Sequence, residues 1–195
     1  ELLITAGSGD TLEGVAGGTE WSRLFITGEI VIMRCVAASA TWIVEYDGRI
    51  PQYSSMYLST AADGETAATY TRPTAAATPG AWTADIDNAS VCSTSNDRLV
   101  PRRSGKYQLV VAYAPKDAGT VGQYANLEIR KNGSTVLGGP SAGMLTSGIN
   151  RIAAAVIASA VVGDYFDYYY RTGDGAIGAN GTTTWACRFG LLEVL

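Results

Sequence analysis

Runs of β-branched and aromatic residues alternate with turn-forming residues through most of the second half of the chain. Between Ser104 and Leu195 there are six such runs, and each is bounded by Gly, Asn or Asp. This arrangement is typical of short strands joined by tight turns. The six runs are residues 107–113, 125–130, 134–137, 151–162, 165–171 and 183–195. The pattern predicts an all-β sandwich in this part of the chain.

Two dipeptides mark tight turns within the predicted sandwich. Asn132-Gly133 supplies the two positive φ angles of a type I′ hairpin turn, and Gly163-Asp164 is a similar signal. The run 151–162 contains five alanines, which would also suit a helix by propensity. We expect a strand there, because the sandwich requires one between its neighbours.

The strand predicted over residues 107–113 is apolar on both faces. Four large side chains alternate on one face, namely Tyr107, Leu109, Val111 and Tyr113. The other face carries Val110 and Ala112, so both faces are expected to be buried. The run 165–170 also places aromatic side chains on both faces. We expect these aromatics to fill the core and a contact with another chain; the alternative is a sugar-stacking platform.

The chain before the sandwich changes character near residues 50 and 80. Residues 1–50 contain short apolar runs separated by Gly-rich turns, at 2–5, 24–26, 30–35 and 42–46. A unit of this size makes a poor core alone, which points to association with partner chains. Residues 51–80 are rich in Ala, Ser, Thr and Pro and predict an extended connector. The sandwich then occupies residues 81–195.

Composition argues against several classes of partner. The chain has 195 residues and a net charge of −4, which argues against a general affinity for nucleic acid or anionic membrane. It has no run of eighteen apolar residues, so we expect no membrane insertion. Cys35, Cys92 and Cys187 are too widely spaced for a zinc pair or a disulfide-dense scaffold, and we interpret them as buried thiols; the alternative is one disulfide with the third cysteine left over. The sequence begins at Glu1 without a leader, so we expect it to be part of something longer.

Residues suited to catalysis are few. The chain has no histidine, which removes the commonest general base and most catalytic triads and zinc sites. The pairs Asp85/Asp87 and Asp164/Asp167 have the spacing of solvated turns. The loop 172–175 contributes one carboxylate, fewer than calcium sites usually collect. We therefore expect no enzymatic activity, no cofactor and no metal site.

The first 45 residues resemble a segment that precedes the tip domain of many bacteriophage tail fibres and spikes. Three stretches carry the resemblance, namely Ile4-Thr-Ala-Gly-Ser-Gly-Asp-Thr-Leu-Glu-Gly14, Gly28-Glu-Ile-Val-Ile32 and Thr41-Trp-Ile-Val44. In those proteins the segment forms a shaft or neck. An ordinary β-meander is the alternative interpretation.

From Asn96 onward the chain resembles the ten-stranded jelly roll of the complement first-component globular head and tumour-necrosis-factor families. Four stretches match in order, namely Asn96 to Tyr107, Leu127 to Gly133, Val161 to Tyr165 and Cys187 to Leu192. One departure is that Gly190 follows Phe189 directly, where the family has a residue between Phe and Gly. The resemblance implies a β-rich neck followed by a ten-stranded jelly-roll sandwich, assembled as a homotrimer.

The resemblance also implies what covers the second apolar face and what the protein does. A neighbouring subunit around a three-fold axis would provide the cover, and we assign the trimer contact to Tyr107, Tyr113, Tyr168 and Tyr170. The implied function is the distal domain of a phage tail fibre or spike, a non-enzymatic protein of the extracellular virion. Its partners would be other virion proteins and a host cell-surface glycan or protein. The alternatives are a trimeric capsid decoration or head-fibre protein, and a secreted ligand of the complement or necrosis-factor type.

Strand direction predicts where a receptor would bind. If successive strands are antiparallel, the loops 115–123, 138–149 and 172–182 lie at the same end of the sandwich. These loops are long and polar, which suits contacts to a saccharide or surface protein. The alternative is that they are turns without a function. The candidate receptor-binding residues are Lys116, Asp117, Gln123, Ser141, Met144, Thr146, Asp174 and Asn180.

Overall fold

The structure is a computed structural model in which every regular element of the described residues is a β-strand. It describes residues 2–5, 7–8, 11–12, 15–16, 20–24, 26, 28–36, 41–59, 70, 72–73, 82–114, 124–139, 141–143, 152–173 and 187–194. Within these ranges no helix is long and apolar enough to cross a bilayer.

Among the described residues of the N-terminal unit there are six short strands in two small sheets. They are β1 (Leu2–Thr5), β2 (Thr11–Leu12), β3 (Val15–Ala16), β4 (Glu20–Leu24), β5 (Ile30–Val36) and β6 (Thr41–Gly48). One sheet pairs β1 with β4, and the other has the order β3-β2-β6-β5. Ile4 and Leu12 are its buried centre, whereas Ile30, Ile32 and Tyr46 are exposed. The unit therefore leaves large apolar side chains uncovered by its own chain, as expected for so small a core.

The part of the sandwich that the structure describes contains eleven further strand segments. They are β7 (Tyr53–Leu58), β8 (Trp82–Asp87), β9 (Cys92–Ser93), β10 (Arg98–Leu99), β11 (Gly105–Tyr113), β12 (Tyr124–Lys131), β13 (Thr135–Gly138), β14 (Ser141–Gly143), β15 (Ile152–Ala160), β16 (Phe166–Thr172) and β17 (Arg188–Val194). One sheet has the order β15-β11-β17-β7-β8. The other has the order β13-β12-β16-β10-β9, and β14 also pairs with β12. From β11 onward the chain passes repeatedly between the two sheets, which is the path of a jelly roll.

The turns and strands predicted within the sandwich agree with the structure where it describes them, whereas the strand predicted at residues 24–26 ends at Leu24 as part of β4. Asn132 and Gly133 have φ angles of 54° and 72°, as a type I′ turn requires. The alanine-rich run is the strand β15, paired in register with all of β11 from Gly105↔Ala160 to Tyr113↔Ile152. Tertiary pairing thus overrides the helix propensity of alanine here.

The core between the two sheets is strongly aromatic. Tyr168 packs edge-on against Trp82 and Phe189, with ring centroids 5.7 and 5.5 Å away. Tyr113 stacks on Tyr170 at 4.9 Å. Such pairs stabilise a core by about 0.5–1.5 kcal/mol each beyond the burial of their area. These ring contacts join the two sheets across the core.

The domain boundary predicted at residue 80 is wrong for one strand. Residues 53–58, assigned to the connector, form β7, which lies between β17 and β8 in the five-stranded sheet. Met56 and Leu58 reach the core, while Ser54 is buried and donates a hydrogen bond to Asp87 at 2.7 Å. The two serines give this stretch the composition of a connector. The hydrogen-bond partner of the buried Ser54 hydroxyl lies 33 residues away, so the local sequence does not show that this serine can be buried in a strand. Most of the remaining connector lies outside the described residues.

Candidate functional site

The four tyrosines assigned to a trimer contact lie inside the sandwich. Tyr107 and Tyr113 are 0% exposed, and Tyr168 and Tyr170 are 2% and 3% exposed. Their own chain covers them, because β11 and β16 turn these side chains toward each other across the core. The assignment of these four residues to a direct contact with a neighbouring chain is corrected accordingly.

The opposite side of the five-stranded sheet is apolar and exposed. Val110 of β11, Ile157 of β15 and Leu192 of β17 are 47%, 64% and 44% exposed. Val194 of β17 and Ile86 of β8 are also exposed. We call this surface, centred on Val110, Ile157 and Leu192, the apolar face. Contiguous exposed patches of this kind are uncommon on monomeric proteins and mark sites of interaction.

Strand register makes the apolar face continuous. Gln108 pairs with both Ile157 and Leu192, and Leu192 pairs in turn with Tyr53 of β7. The adjoining row across the sheet consists of Ala155, Val110, Gly190, Ser55 and Ile86. The middle of this row is flat because Gly190 has no side chain. A Cβ there would lie 3.3 Å from the carbonyl oxygen of Ser54.

Charge on this side of the sheet lies toward its ends. Lys106 begins the outward positions of β11, and Arg188 pairs with Asp85 near the other end. Between them the outward positions of β11 are Gln108, Val110 and Ala112. A flat, apolar centre with charges at its borders is the usual anatomy of a protein–protein interface.

The predicted receptor-binding loops lie largely outside the described residues. This applies to Lys116, Asp117, Gln123, Met144, Thr146, Asp174 and Asn180. Ser141 is the first residue of β14, and only its backbone is described. The assignment of a receptor site to these residues stays a prediction.

The strand ends that border those loops do meet. Tyr113, at the end of β11, pairs with Ile152, and Tyr124, at the start of β12, pairs with Gly143. The stack of Tyr113 on Tyr170 joins the same end of the two sheets. The described residues next to positions 115–123, 144–151 and 174–186 therefore lie at one end of the sandwich, whereas residues 141–143 of the loop predicted over 138–149 form the strand β14.

The opposite end holds a buried ionic group that joins the N-terminal unit to the sandwich. Arg103 Nη1 lies 2.7 Å from a carboxylate oxygen of Glu29, and its Nε lies 2.8 Å from Glu193 of β17. Glu193 also accepts a hydrogen bond from the backbone N–H of Gln52 at 3.0 Å. We call Glu29, Gln52, Arg103 and Glu193 the junction cluster. Sequence reasoning missed it, because its members lie far apart in the chain.

The junction cluster is buried yet charged. The Arg103 side chain is fully buried, and Glu29 and Glu193 are 0% and 2% exposed. Burial opposes the charge on Arg103, but its hydrogen bonds to Glu193 and Glu29 raise its pKa overall. Tyr107 donates to the backbone carbonyl of Arg103 at 2.6 Å and accepts from Gln52 at 3.1 Å. These hydrogen bonds give the cluster the support that a buried ion pair requires.

Two of the carboxylates considered for catalysis, Asp87 and Asp164, have structural roles. Asp87 accepts hydrogen bonds from the backbone N–H groups of Val91 and Cys92, and Asp164 accepts one from Val161. Among the described residues, no group of three or more His, Cys, Asp or Glu could hold a metal ion. The three cysteines are free thiols, but the prediction that all are buried is wrong for Cys35. It lies on β5, an edge strand, where its side chain reaches solvent.

Solved structures of other proteins resemble the fold of this chain. No family model and no curated protein sequence matches the chain. The crystal structure of murine APRIL at pH 5.0 superposes with a TM-score of 0.55 and 10% sequence identity, covering 74% of this chain and all of that one. Murine APRIL at pH 8.0 gives a TM-score of 0.52 at 12% identity, with 74% and 100% covered. The globular domain of zebrafish complement 1qA gives 0.49 at 11% identity, with 75% and 98% covered.

At sequence identities this low, the similarity to APRIL shows a shared arrangement of strands and does not show a shared activity. It agrees with the two sheets and the connections between them described above. The chain therefore shares the jelly-roll fold of murine APRIL.

Proposed function

We propose that this chain is the distal domain of a bacteriophage tail fibre or spike. It is a non-enzymatic homotrimer of the extracellular virion that binds a host cell-surface glycan or protein. The observation that carries this proposal is the apolar face. Copies of the same chain cover it around a three-fold axis, with Val110, Ile157 and Leu192 in the contact.

Two further observations support assembly from several chains. The N-terminal unit exposes Ile30, Ile32 and Tyr46, which other copies of the unit would cover. The junction cluster connects that unit to the end of β17 in the same chain. The same three-fold axis therefore relates the copies of the N-terminal unit and the copies of the sandwich. The virion assignment is supported by the neck-like stretches within residues 4–44.

Light scattering of the purified protein tests the assembly. The expected mass is three times the 20.4 kDa of one chain. Val110→Asp should give a smaller species or insoluble protein, because it places a carboxylate within an apolar contact. Val136→Asp is the matched control, since Val136 is 53% exposed on β13 of the other sheet, and it should remain a trimer. A parent protein of one-chain mass would contradict the proposal.

Immunogold labelling of intact particles tests the location. Antibody against this chain should label the free end of the tail or its fibres. Label distributed over the capsid would instead indicate a decoration or head-fibre protein. The absence of label from particles, together with its presence in culture medium, would favour a secreted ligand.

A further inference from the structure

The outer side of the second sheet contains a cleft, on the sheet opposite the one that carries the apolar face. Its volume is about 370 Å³, and it lies between Tyr70, residues Asn126 and Glu128 of β12, and residues Val136 and Gly138 of β13. Gly139 closes one wall by a close backbone approach, since a Cβ there would lie 1.8 Å from the carbonyl oxygen of Leu127. The size falls in the lower part of the range of about 300–1,000 Å³ for small-ligand pockets.

Polar groups converge at this cleft and are incompletely satisfied. Burial, followed by a hydrogen bond with Glu128, raises the pKa of Tyr70, so its hydroxyl stays protonated. Asn126 lines the cleft and pairs in register with Arg171 of β16, so the Arg171 side chain lies next to the lining without being part of it. Within the described part of the chain, the buried Oδ1 of Asn126 and the buried Nε of Arg171 have no hydrogen-bond partner. Such groups are rare in proteins, and each calls for a partner.

The two unsatisfied atoms have opposite needs. Asn126 Oδ1 accepts a hydrogen bond, whereas Arg171 Nε donates one. A hydroxyl group can satisfy both, because it donates one hydrogen bond and accepts others. A ligand with adjacent hydroxyl groups is therefore complementary to this pair.

Planar and apolar groups border the same place. The guanidinium carbon of Arg171 lies 4.9 Å from the ring centre of Tyr70 and 5.4 Å from that of Tyr124. Tyr124 and Val136 are both exposed beside the polar groups. An aromatic ring next to hydrogen-bonding side chains suits a ligand that has apolar C–H surface as well as hydroxyl groups. Sugars combine these two features.

We propose that the cleft binds a saccharide. Sugar hydroxyl groups donate to Asn126 Oδ1 and accept from Arg171 Nε, and the sugar ring packs toward Tyr124 and Val136. This rests on the proposed receptor-binding function, and it assigns the glycan contact to the outer wall of the sandwich instead of the tip loops.

Saturation-transfer NMR on the full-length protein tests the cleft. The probes are methyl glycosides of glucose, galactose, mannose and N-acetylglucosamine, methyl glucuronide, and acetate as a simple carboxylate. At least one glycoside should receive saturation, and Asn126→Ala and Arg171→Ala should each weaken its binding about tenfold, as the loss of a hydrogen bond predicts. Asn96→Ala is the matched control. It lies in the turn between β9 and β10, where it donates to Ser93 at 2.9 Å, and it should bind like the parent.

Three results would overturn the inference. They are no saturation of any glycoside, equal competition by acetate, and unchanged affinity in both cleft variants with intact thermal melts. Light scattering and particle labelling are independent of this experiment. If the protein is a trimer and antibody labels it at the tail, but it binds no glycoside, only the proposal of saccharide binding in the cleft is overturned. If a one-chain species that is absent from particles binds a glycoside, the proposed function is overturned instead.

Discussion

Two arginines with comparable ion pairs differ sharply in burial, and burial decides what each contributes. Arg103 is enclosed with Glu29 and Glu193 in the junction cluster. Arg34 pairs with Glu45 on β5 and β6, where the two side chains are 57% and 45% exposed. Water screens the second pair and solvates either partner when the other is removed. Water cannot solvate the partners of Arg103 in the same way, because removal of Arg103 leaves the carboxylates of Glu29 and Glu193 buried.

Replacement of Arg103 by Ala should lower the free energy of unfolding by about 3–5 kcal/mol, because an uncompensated buried charge remains. Arg34→Ala should cost no more than about 1 kcal/mol. Chemical denaturation of both variants measures the difference. Equal small losses would show that water reaches the junction cluster.

The thiols should differ in reactivity. Burial, together with the charge of Asp87, raises the pKa of Cys92 to about 12, and Cys187 is buried against Ala114. Cys35 is exposed. Because the thiolate is the reactive form, Ellman's reagent at about pH 8 should label one thiol per native chain and all of them in denaturant. Cys35→Ser should abolish the rapid reaction, and two rapid thiols in the native parent would contradict the assignment.

At the scale of elements, two turns are locked together by side chains. Asn132, in the turn between β12 and β13, donates from Nδ2 to Asp164 at 2.8 Å, and its Oδ1 accepts from the backbone N–H of Tyr165 at 3.0 Å. Asp164, before β16, also accepts from Val161 and lies 2.6 Å from the Lys131 ammonium. Each turn thus fixes the other, which holds the ends of β12 and β16 in register.

This lock predicts a pH dependence. Burial alone would raise the pKa of Asp164, but hydrogen bonds from Lys131, Val161 and Asn132 lower it overall. A carboxyl whose pKa is lowered by folding stabilises the protein above its unfolded pKa, and that contribution is lost as pH falls through the folded value. Asp164→Asn should therefore cost about 1–2 kcal/mol near neutral pH, and the difference from the parent should shrink in acid. Thermal melts across pH measure this, and a constant difference would refute it.

The strands were predictable where their signals are local. The Asn132-Gly133 turn and the alternation in β11 and β16 depend on neighbouring residues alone, so the sequence shows them. β7 was missed because its polar Ser54 becomes acceptable in the core only through Asp87 of β8.

The sites were less predictable than the strands. The apolar face was anticipated from Val110 and Ala112, but the tyrosines of the other face were assigned to the wrong contact. Alternation shows that two faces differ and does not show which one the second sheet covers. The cleft could not be found at all, because Tyr70, Asn126 and Arg171 meet only after the sheet has formed.

For the whole molecule, covering the apolar face should couple folding to assembly. Each chain leaves Val110, Ile157 and Leu192 exposed when alone. Association then stabilises the folded state by mass action, so the melting temperature should rise with protein concentration. Differential scanning fluorimetry over a wide dilution series measures this. A melting temperature independent of concentration would indicate that the chain folds as a stable monomer.

The position of β17 has a consequence for synthesis. It lies between β11 and β7, so the five-stranded sheet has a gap at its centre until residues 188–194 are in place. A nascent chain on the ribosome therefore holds β11 and β7 with unpaired edges, which are prone to wrong pairing with other chains. The five-stranded sheet therefore carries the complete apolar face only after β17 has been inserted, because Leu192 and Val194 belong to that strand.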